Sequence, residues 1–179
     1  MENEIDLLML IEQAVRDDAI DASQIPGIDL YMDQVTTFLE NALGGNKRND
    51  TEKVMTKTMV NNYTKDKVLP PPVHKKYSKD HMLMLIIIYH LKQSLSIGDV
   101  KKLLPENMNA AAEFYGAFEC LQRDAKKTAA DSIDASRQKL MPPEDKNGKE
   151  KILLLIISLI LEANTKKQLA AKLIDNFFG

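Results

Sequence analysis

The stretch TKTMVNNYTKDKVLPPPVHKKYSKDHMLMLIIIYHLKQSLSIGDVKKLL, residues 56–104, decides the fold of this chain. Its apolar spacing predicts a short helix over residues 57–67, a long helix over 79–95 and a final helix over 97–104. Three consecutive prolines at 70–72 fix an extended path between the first two helices. A hydroxyl residue precedes each predicted helix, and such residues cap helix N-termini. The expected caps are Thr56, Ser78 and Ser96.

The helix predicted over 57–67 has two different faces. Met59, Val60 and Tyr63 recur at helical spacing and form the side expected to face the core. The opposite side carries two adjacent asparagines, which are poor helix formers and can pair with adenine in the major groove. A merely solvated face is the alternative interpretation, and it stays open at this point. The outward residues are Lys57, Thr58, Asn61, Asn62 and Lys65.

The middle of the chain is basic, although the chain as a whole has a net charge of -2. Residues 46–102 contain twelve basic and five acidic residues, a net of +7. Residues 1–45 have a net charge of -9, and residues 103–179 are neutral overall. A basic segment is typical of a phosphate-binding surface, but lysines that only solvate helices would produce it as well. The densest basic run beside the 57–67 helix is HKKY at 74–77.

The rest of the sequence also predicts helices, so the expected fold class is all-α. The helix predicted over 30–43 is followed by two glycines, at 44 and 45, and glycine commonly ends a helix. Residues 106–140 are rich in Ala and predict one long helical region, either continuous or interrupted. The additional helices are predicted over 5–15, 30–43, 106–140, 149–162 and 166–178.

Cysteine content and the N-terminus predict a cytoplasmic protein. The single cysteine, Cys120, allows no disulfide within a monomer and is expected to pack in the core. The chain begins MENEID, which lacks the basic region of a signal peptide. The most apolar run, ILLLIISLIL at 152–161, is shorter than the roughly 20 residues that a membrane helix needs. We therefore expect no membrane segment, and either burial or a subunit interface for this run.

Several residues of the quoted stretch resemble the DNA-binding domain of MerR-type transcription regulators. Thr56 stands where those domains place a capping Ser or Thr, and Val60 and Tyr63 match inward positions of their recognition helix. VLP at 68–70 and YS at 77–78 match the residues that flank their wing. The whole chain, including IDLYMDQVTTFLE and TKTMVNNY, is similar to an uncharacterised bacterial family that carries such a domain.

The resemblance implies a winged helix-turn-helix protein that binds double-stranded DNA as a homodimer and regulates transcription. Residues 1–45 would be acidic helices whose second member completes the motif, 46–105 the DNA-binding region, and 106–179 a helical region for dimerisation or core packing. The wing is shorter than in MerR domains, and Thr and Asn replace the usual Arg on the outward face. The implied DNA-binding residues are Lys57, Thr58, Asn61, Asn62, Lys65, His74, Lys75, Lys76 and Tyr77.

Two other classes of function stay open. A winged-helix scaffold can also serve as a protein-interaction module that binds no DNA, because a fold does not fix a function. An enzyme is the weaker alternative, since no nucleophile and base pair, phosphate loop or cofactor motif can be assembled from the sequence. His81 and His90 are nine residues apart, which does not suit a metal site, so we expect them at the surface or its boundary.

Overall fold

The computed structural model describes residues 7–104, 111–140 and 148–179. Over these residues the chain forms seven α-helices and one two-stranded sheet, which confirms the all-α class. The elements are α1 (Leu7–Val15), β1 (Leu30–Tyr31), α2 (Met32–Leu43), α3 (Lys57–Lys65), β2 (Lys76–Tyr77), α4 (Lys79–Lys92), α5 (Ile97–Leu103), α6 (Ala111–Leu140) and α7 (Gly148–Phe177).

The chain divides into two compact units. The central unit contains the described residues of 18–120 together with 177–179, and the terminal unit contains those of 1–17 and 121–176. The boundaries expected at 45 and 105 fall inside the central unit. They do so because α2 packs against α3 and β2, and because the start of α6 shares the same core. Residues 18–45 of the acidic segment therefore fold together with the basic segment.

Helix α4 is the centre of the core of the central unit. Nine consecutive residues, 81–89, are buried, so the helix is enclosed on all sides, as its apolar sequence predicts. From α2, Val35, Leu39 and Leu43 pack into this core at a spacing of four residues. Val100 adds the contact from α5.

The predicted caps hold the starts of two helices. The Thr56 hydroxyl oxygen accepts a hydrogen bond from the Met59 N–H at 3.2 Å, which begins α3. The Ser96 hydroxyl oxygen accepts from the Asp99 N–H at 3.1 Å and its proton is donated to the Asp99 carboxylate at 2.6 Å, which begins α5. These two N-cap predictions are confirmed.

His81 lies inside the protein, so the prediction of a surface or boundary position was wrong. Ser78 takes the N-cap position of α4, and its backbone N–H donates to His81 Nδ1 at 3.1 Å. The imidazole thus fills the place that Glu or Gln usually takes in a capping box. Loss of solvent on burial lowers the pKa of His81, although the nearby backbone of Pro71 and Pro70 acts in the opposite direction.

Strands β1 and β2 form one short antiparallel pair. Leu30 lies opposite Tyr77, and Tyr31 lies opposite Lys76. Leu30 and Tyr77 are buried, and the Lys76 ammonium stands 5.2 Å from the centroid of the Tyr31 ring. The sequence predicted a helix over 30–43, but its first two residues are this strand. The pair ties the start of α2 to the end of the loop that follows the prolines.

A hydrogen bond joins the two ends of the central unit. The hydroxyl of Tyr115, on α6, donates to the carbonyl oxygen of Ile20 at 2.7 Å, across 95 residues of sequence. The Tyr115 side chain is buried, and burial raises its pKa, so it remains a protonated donor. A buried donor and acceptor that satisfy each other in this way fix the position of the first and last parts of the unit.

The terminal unit consists of α1, the part of α6 after Cys120, and α7 as far as Asn176. Lys126 Nζ donates to the Ala14 carbonyl at 3.1 Å, and Ser132 Oγ donates to the Glu162 carboxylate at 2.8 Å. These bonds connect α6 to α1 and to α7.

Two further expectations, one for α7 and one for Cys120, were wrong. Helix α7 runs unbroken from Gly148 to Phe177, because the hydroxyl of Thr165 donates to the Leu161 carbonyl at 2.9 Å and does not cap a new helix. Cys120 is exposed and not packed in the core. The expected start of the α6 region at 106–110 and part of the loop before α7 lie outside the described residues.

Candidate nucleic-acid interface

Helix α3 is anchored firmly by its inward side. Val60 and Tyr63 are buried in the core of the central unit. The carbonyl oxygen of Tyr63 accepts hydrogen bonds from the N–H groups of Val68 at 2.8 Å and Leu69 at 3.1 Å. These bonds turn the chain back at the end of the helix and direct it into the prolines. These contacts therefore hold the outward side of α3 in a fixed position relative to the core.

The outward side of α3 consists of polar side chains that are exposed to solvent. Among the described residues, the amides of Asn61 and Asn62 have no hydrogen-bond partner. Lys57 forms an ion pair with Asp33 of α2, in which both side chains are largely exposed. Such a pair is weak in water and leaves the lysine able to exchange partners. All five residues expected on this face lie there: Lys57, Thr58, Asn61, Asn62 and Lys65.

The loop after the prolines ends in a tight hairpin. Val73 and Lys76 exchange two backbone hydrogen bonds, at 3.1 and 2.9 Å, around a two-residue turn. The turn residues His74 and Lys75 have φ angles of 50° and 64°. Two successive positive φ angles define the mirror-image turn that favours Asn-Gly, and they strain other side chains. Both side chains are exposed at the tip.

The other two residues of the HKKY run do not project from the hairpin. Lys76 is half-buried and lies over the Tyr31 ring. Tyr77 is 3% exposed, and its ring meets that of His81 edge-on at 5.5 Å. Pairing of β2 with β1 turns Tyr77 into the core, so Tyr77 is withdrawn from the implied DNA-binding residues. Lys76 is retained only as the support of the hairpin base.

One carboxylate, which no sequence motif indicated, holds the loop before α3 in place. Glu40 of α2 forms an ion pair with Lys47 at 2.6 Å, and its second oxygen accepts from the Val54 N–H at 3.1 Å. The hydrogen bond from Lys47, followed by that from Val54, lowers the pKa of Glu40. Glu40 thus fastens both ends of the loop over 47–54, immediately before the cap of α3. No short motif signals such a contact, because it depends on how the loop folds back.

The site offers hydrogen-bonding groups and positive charge. Within the ranges that the structure describes, no group of three or more His, Cys, Asp or Glu side chains could hold a metal ion. Over the same ranges, no helix combines the length and apolarity required to cross a membrane.

Residues 20–119 match a protein family described as a domain of unknown function, DUF1836. The match covers more than half of the chain. The chain belongs to the DUF1836 family. The DUF1836 domain starts at Ile20, ends just after Tyr115, and so falls within the central unit that these two residues close. Helix α3 and the hairpin are both part of the DUF1836 domain. No curated protein and no solved structure matches the chain.

Proposed function

We propose that the chain binds double-stranded DNA in a sequence-specific way through α3 and the hairpin tip, as a cytoplasmic, MerR-like transcription regulator. The observation that carries the proposal is the outward face of α3. It presents two exposed asparagine amides that make no intramolecular hydrogen bond in the described part of the chain. Asn amides at such positions can pair bidentately with adenine, whereas a face that only needs solvation favours better helix formers.

Basic side chains on α3 and at the hairpin tip suit the phosphate backbone. Lys57 and Lys65 lie at the two ends of α3, and His74 and Lys75 form the hairpin tip. All four are exposed. In this proposal they position the protein on the duplex, while Thr58 and the asparagines read bases. The Asp33 carboxylate would release Lys57 to a phosphate, because an exposed ion pair contributes little stability.

A second copy of the chain is the proposed partner in DNA binding, through α7. The side of α7 that packs within the terminal unit includes Leu155, which is buried, and Glu162, which bonds to Ser132. Over residues 152–161 the remaining sides are apolar but exposed, which is unusual for a helix that no other chain covers. Helix-turn-helix proteins commonly need two half-sites and hence two copies. The exposed apolar residues of the run 152–161 are Ile152, Leu153, Leu154, Ile156, Ile157, Ile160 and Leu161.

Selection of bound sequences from random duplex DNA tests the proposal. We expect one enriched sequence with twofold symmetry. Replacing Asn61 and Asn62 by Ala should leave the free energy of unfolding within about 1 kcal/mol. The same change should weaken binding to the selected site by roughly 1–3 kcal/mol, as a lost base contact does. Asn164→Ala, an exposed Asn within α7, is the matched control and should bind as the parent does.

The result that contradicts base reading is equally clear. If selection enriches no sequence at low salt, or if the asparagine variant binds the enriched site as tightly as the Asn164 control, α3 is not a recognition helix. The second candidate function, a protein-interaction module without DNA affinity, would then stand. The exposed apolar sides of α7 are the observation that favours it.

A further inference from the structure

The terminal unit has almost no core of its own over the residues that the structure describes in it, 7–17, 121–140 and 148–176. Helix α1 has no buried residue there, and neither does α6 beyond Cys120. Helix α7 adds two, Leu155 and Ile174. All other buried apolar side chains of the described chain lie in the central unit. Because packing supplies most of the stability of a helix, the terminal unit lacks apolar contacts that its three helices require.

The apolar run over 152–161 has its more polar side turned inward. Leu155 is buried within the terminal unit, and Ser158 and Glu162 follow it on the same side of α7. The other side of the run has no polar residue, and yet it is exposed. At 3.6 residues per turn, its apolar side chains cover about 200° of the helix circumference, twice the width of about 100° that an amphipathic helix needs. Such an arrangement is expected of a helix inside a larger assembly.

The exposed side chains of this run form a pattern that matches itself when the helix is reversed. A twofold axis between Ile156 and Ile157 exchanges each exposed side chain with another apolar residue of the run. A contact between two identical chains requires this self-complementarity. The exposed side of α7 therefore fits a second copy of itself in the antiparallel direction. The exchanged pairs are 152 with 161, 153 with 160, 154 with 159 and 156 with 157.

Lysines at the two ends of the run favour antiparallel over parallel pairing. Lys149 and Lys167 are exposed and about five helical turns apart, so they lie on one line along α7. Ile156 and Ile160 lie between them, close to the same line. Parallel pairing would place each lysine against the same lysine of the second copy, where like charges repel. Antiparallel pairing about the axis places Lys149 beside the neutral Asn164 of the second copy instead.

We propose that a second copy of the chain completes the core of the terminal unit, with the two α7 helices packed antiparallel about an axis between Ile156 and Ile157. The proposal rests on the second copy invoked for DNA binding, and it specifies how the two copies meet. It also makes the terminal unit dependent on that contact. The central unit has a core of its own and folds without the second copy.

Distances between spin labels test the antiparallel arrangement. The labels are attached to the full chain at Lys149→Cys or at Lys172→Cys, each combined with Cys120→Ser because Cys120 is exposed. At about 1.5 Å per residue and about 10 Å between helix axes, the two labels of an antiparallel pair should be roughly 25 Å apart at residue 149 and roughly 45 Å apart at residue 172. Similar short distances at both positions indicate a parallel pair. That result, or the absence of any distance between copies, overturns the proposal.

Hydrogen exchange tests whether the terminal unit depends on the second copy. Ile156→Lys with Ile157→Lys places two charges at the axis, and the control, Ile28→Lys with Val73→Lys, places them at exposed apolar positions of the central unit. We expect the axis variant to be monomeric in light scattering. Its α7 amides should exchange at least about tenfold faster than those of the control, whereas α4 amides should exchange equally, because the two units open separately.

Three results of this comparison contradict the proposal. They are an axis variant that stays dimeric, one whose α7 amides exchange as slowly as those of the control, and one in which α4 loses protection as well. DNA takes no part in either experiment, so base reading by α3 stands or falls on its own test.

Discussion

His81 combines two properties that make it a pH-sensitive residue of the core. Its ring is buried against Tyr77, and Nδ1 is committed as an acceptor to the Ser78 N–H at 3.1 Å. Protonation in the folded state would bury a charge and replace this acceptor with a donor. The unfolded chain binds the proton at the ordinary pKa of 6.5, whereas the folded chain binds it only at lower pH.

The sign of the pH effect follows from this difference. The contribution of neutral His81 to the free energy of unfolding is fully present above its ordinary pKa and is lost as the pH falls below it. Because one proton is involved, the loss is at most about 1.4 kcal/mol per pH unit. His81→Gln keeps an acceptor at the same helix position without titrating. Urea unfolding between roughly pH 7.5 and 5.5 should therefore show a flatter profile for the variant. An equally steep fall in both proteins would assign the effect to other groups.

At the scale of single elements, the hairpin tip is less stable with its present side chains than with residues that favour its backbone conformation. His74 and Lys75 occupy positions that favour Asn and Gly. His74→Asn with Lys75→Gly should therefore raise the free energy of unfolding by roughly 1–2 kcal/mol, the strain relieved at a left-handed residue. The same change removes a proposed phosphate contact. The slope of log affinity against log salt should flatten by about 0.9 for each lost contact.

Unfolding in urea and DNA titrations at several salt concentrations check the hairpin prediction. Lys127→Gln, which removes one charge from the exposed surface of α6, is the control for net charge and should not change the salt slope. A variant that gains stability but keeps the parent's salt slope would show that the tip does not touch DNA.

Periodicity in the sequence was enough to locate most helices. It identified the two faces of α3 and the enclosed helix α4, because both depend on the spacing of neighbouring residues. It missed the inward turn of Tyr77, which depends on pairing between β1 and β2 across more than 40 residues. It also placed a break in α7, since Asn164 and Thr165 favour caps as well as helix surfaces that bond back to the preceding turn.

At the scale of the whole molecule, the exposed apolar sides of α7 predict self-association. Leu153→Lys with Ile160→Lys places two charges on side chains that are both 54% exposed. Because burying an unpaired charge at an interface is costly, these changes should convert a dimer of the 20.2 kDa chain into a monomer. Light scattering at micromolar concentration measures the mass. Ile28→Lys, at a 70% exposed position of the central unit, should remain dimeric. A parent chain that is already monomeric contradicts the prediction.

The arrangement of the two units along the chain also sets the order in which they can form on the ribosome. Helix α1 is synthesised before the central unit, but its partner Lys126 follows Ala14 by 112 residues. At about 5–20 residues per second, α1 emerges roughly 5–20 seconds before the segment that it packs against. Within that interval Tyr115 is made and can meet Ile20, so the DUF1836 domain is able to close while synthesis continues. Helix α1, which precedes the central unit in the chain, therefore depends on a segment that is synthesised only after residues 18–120.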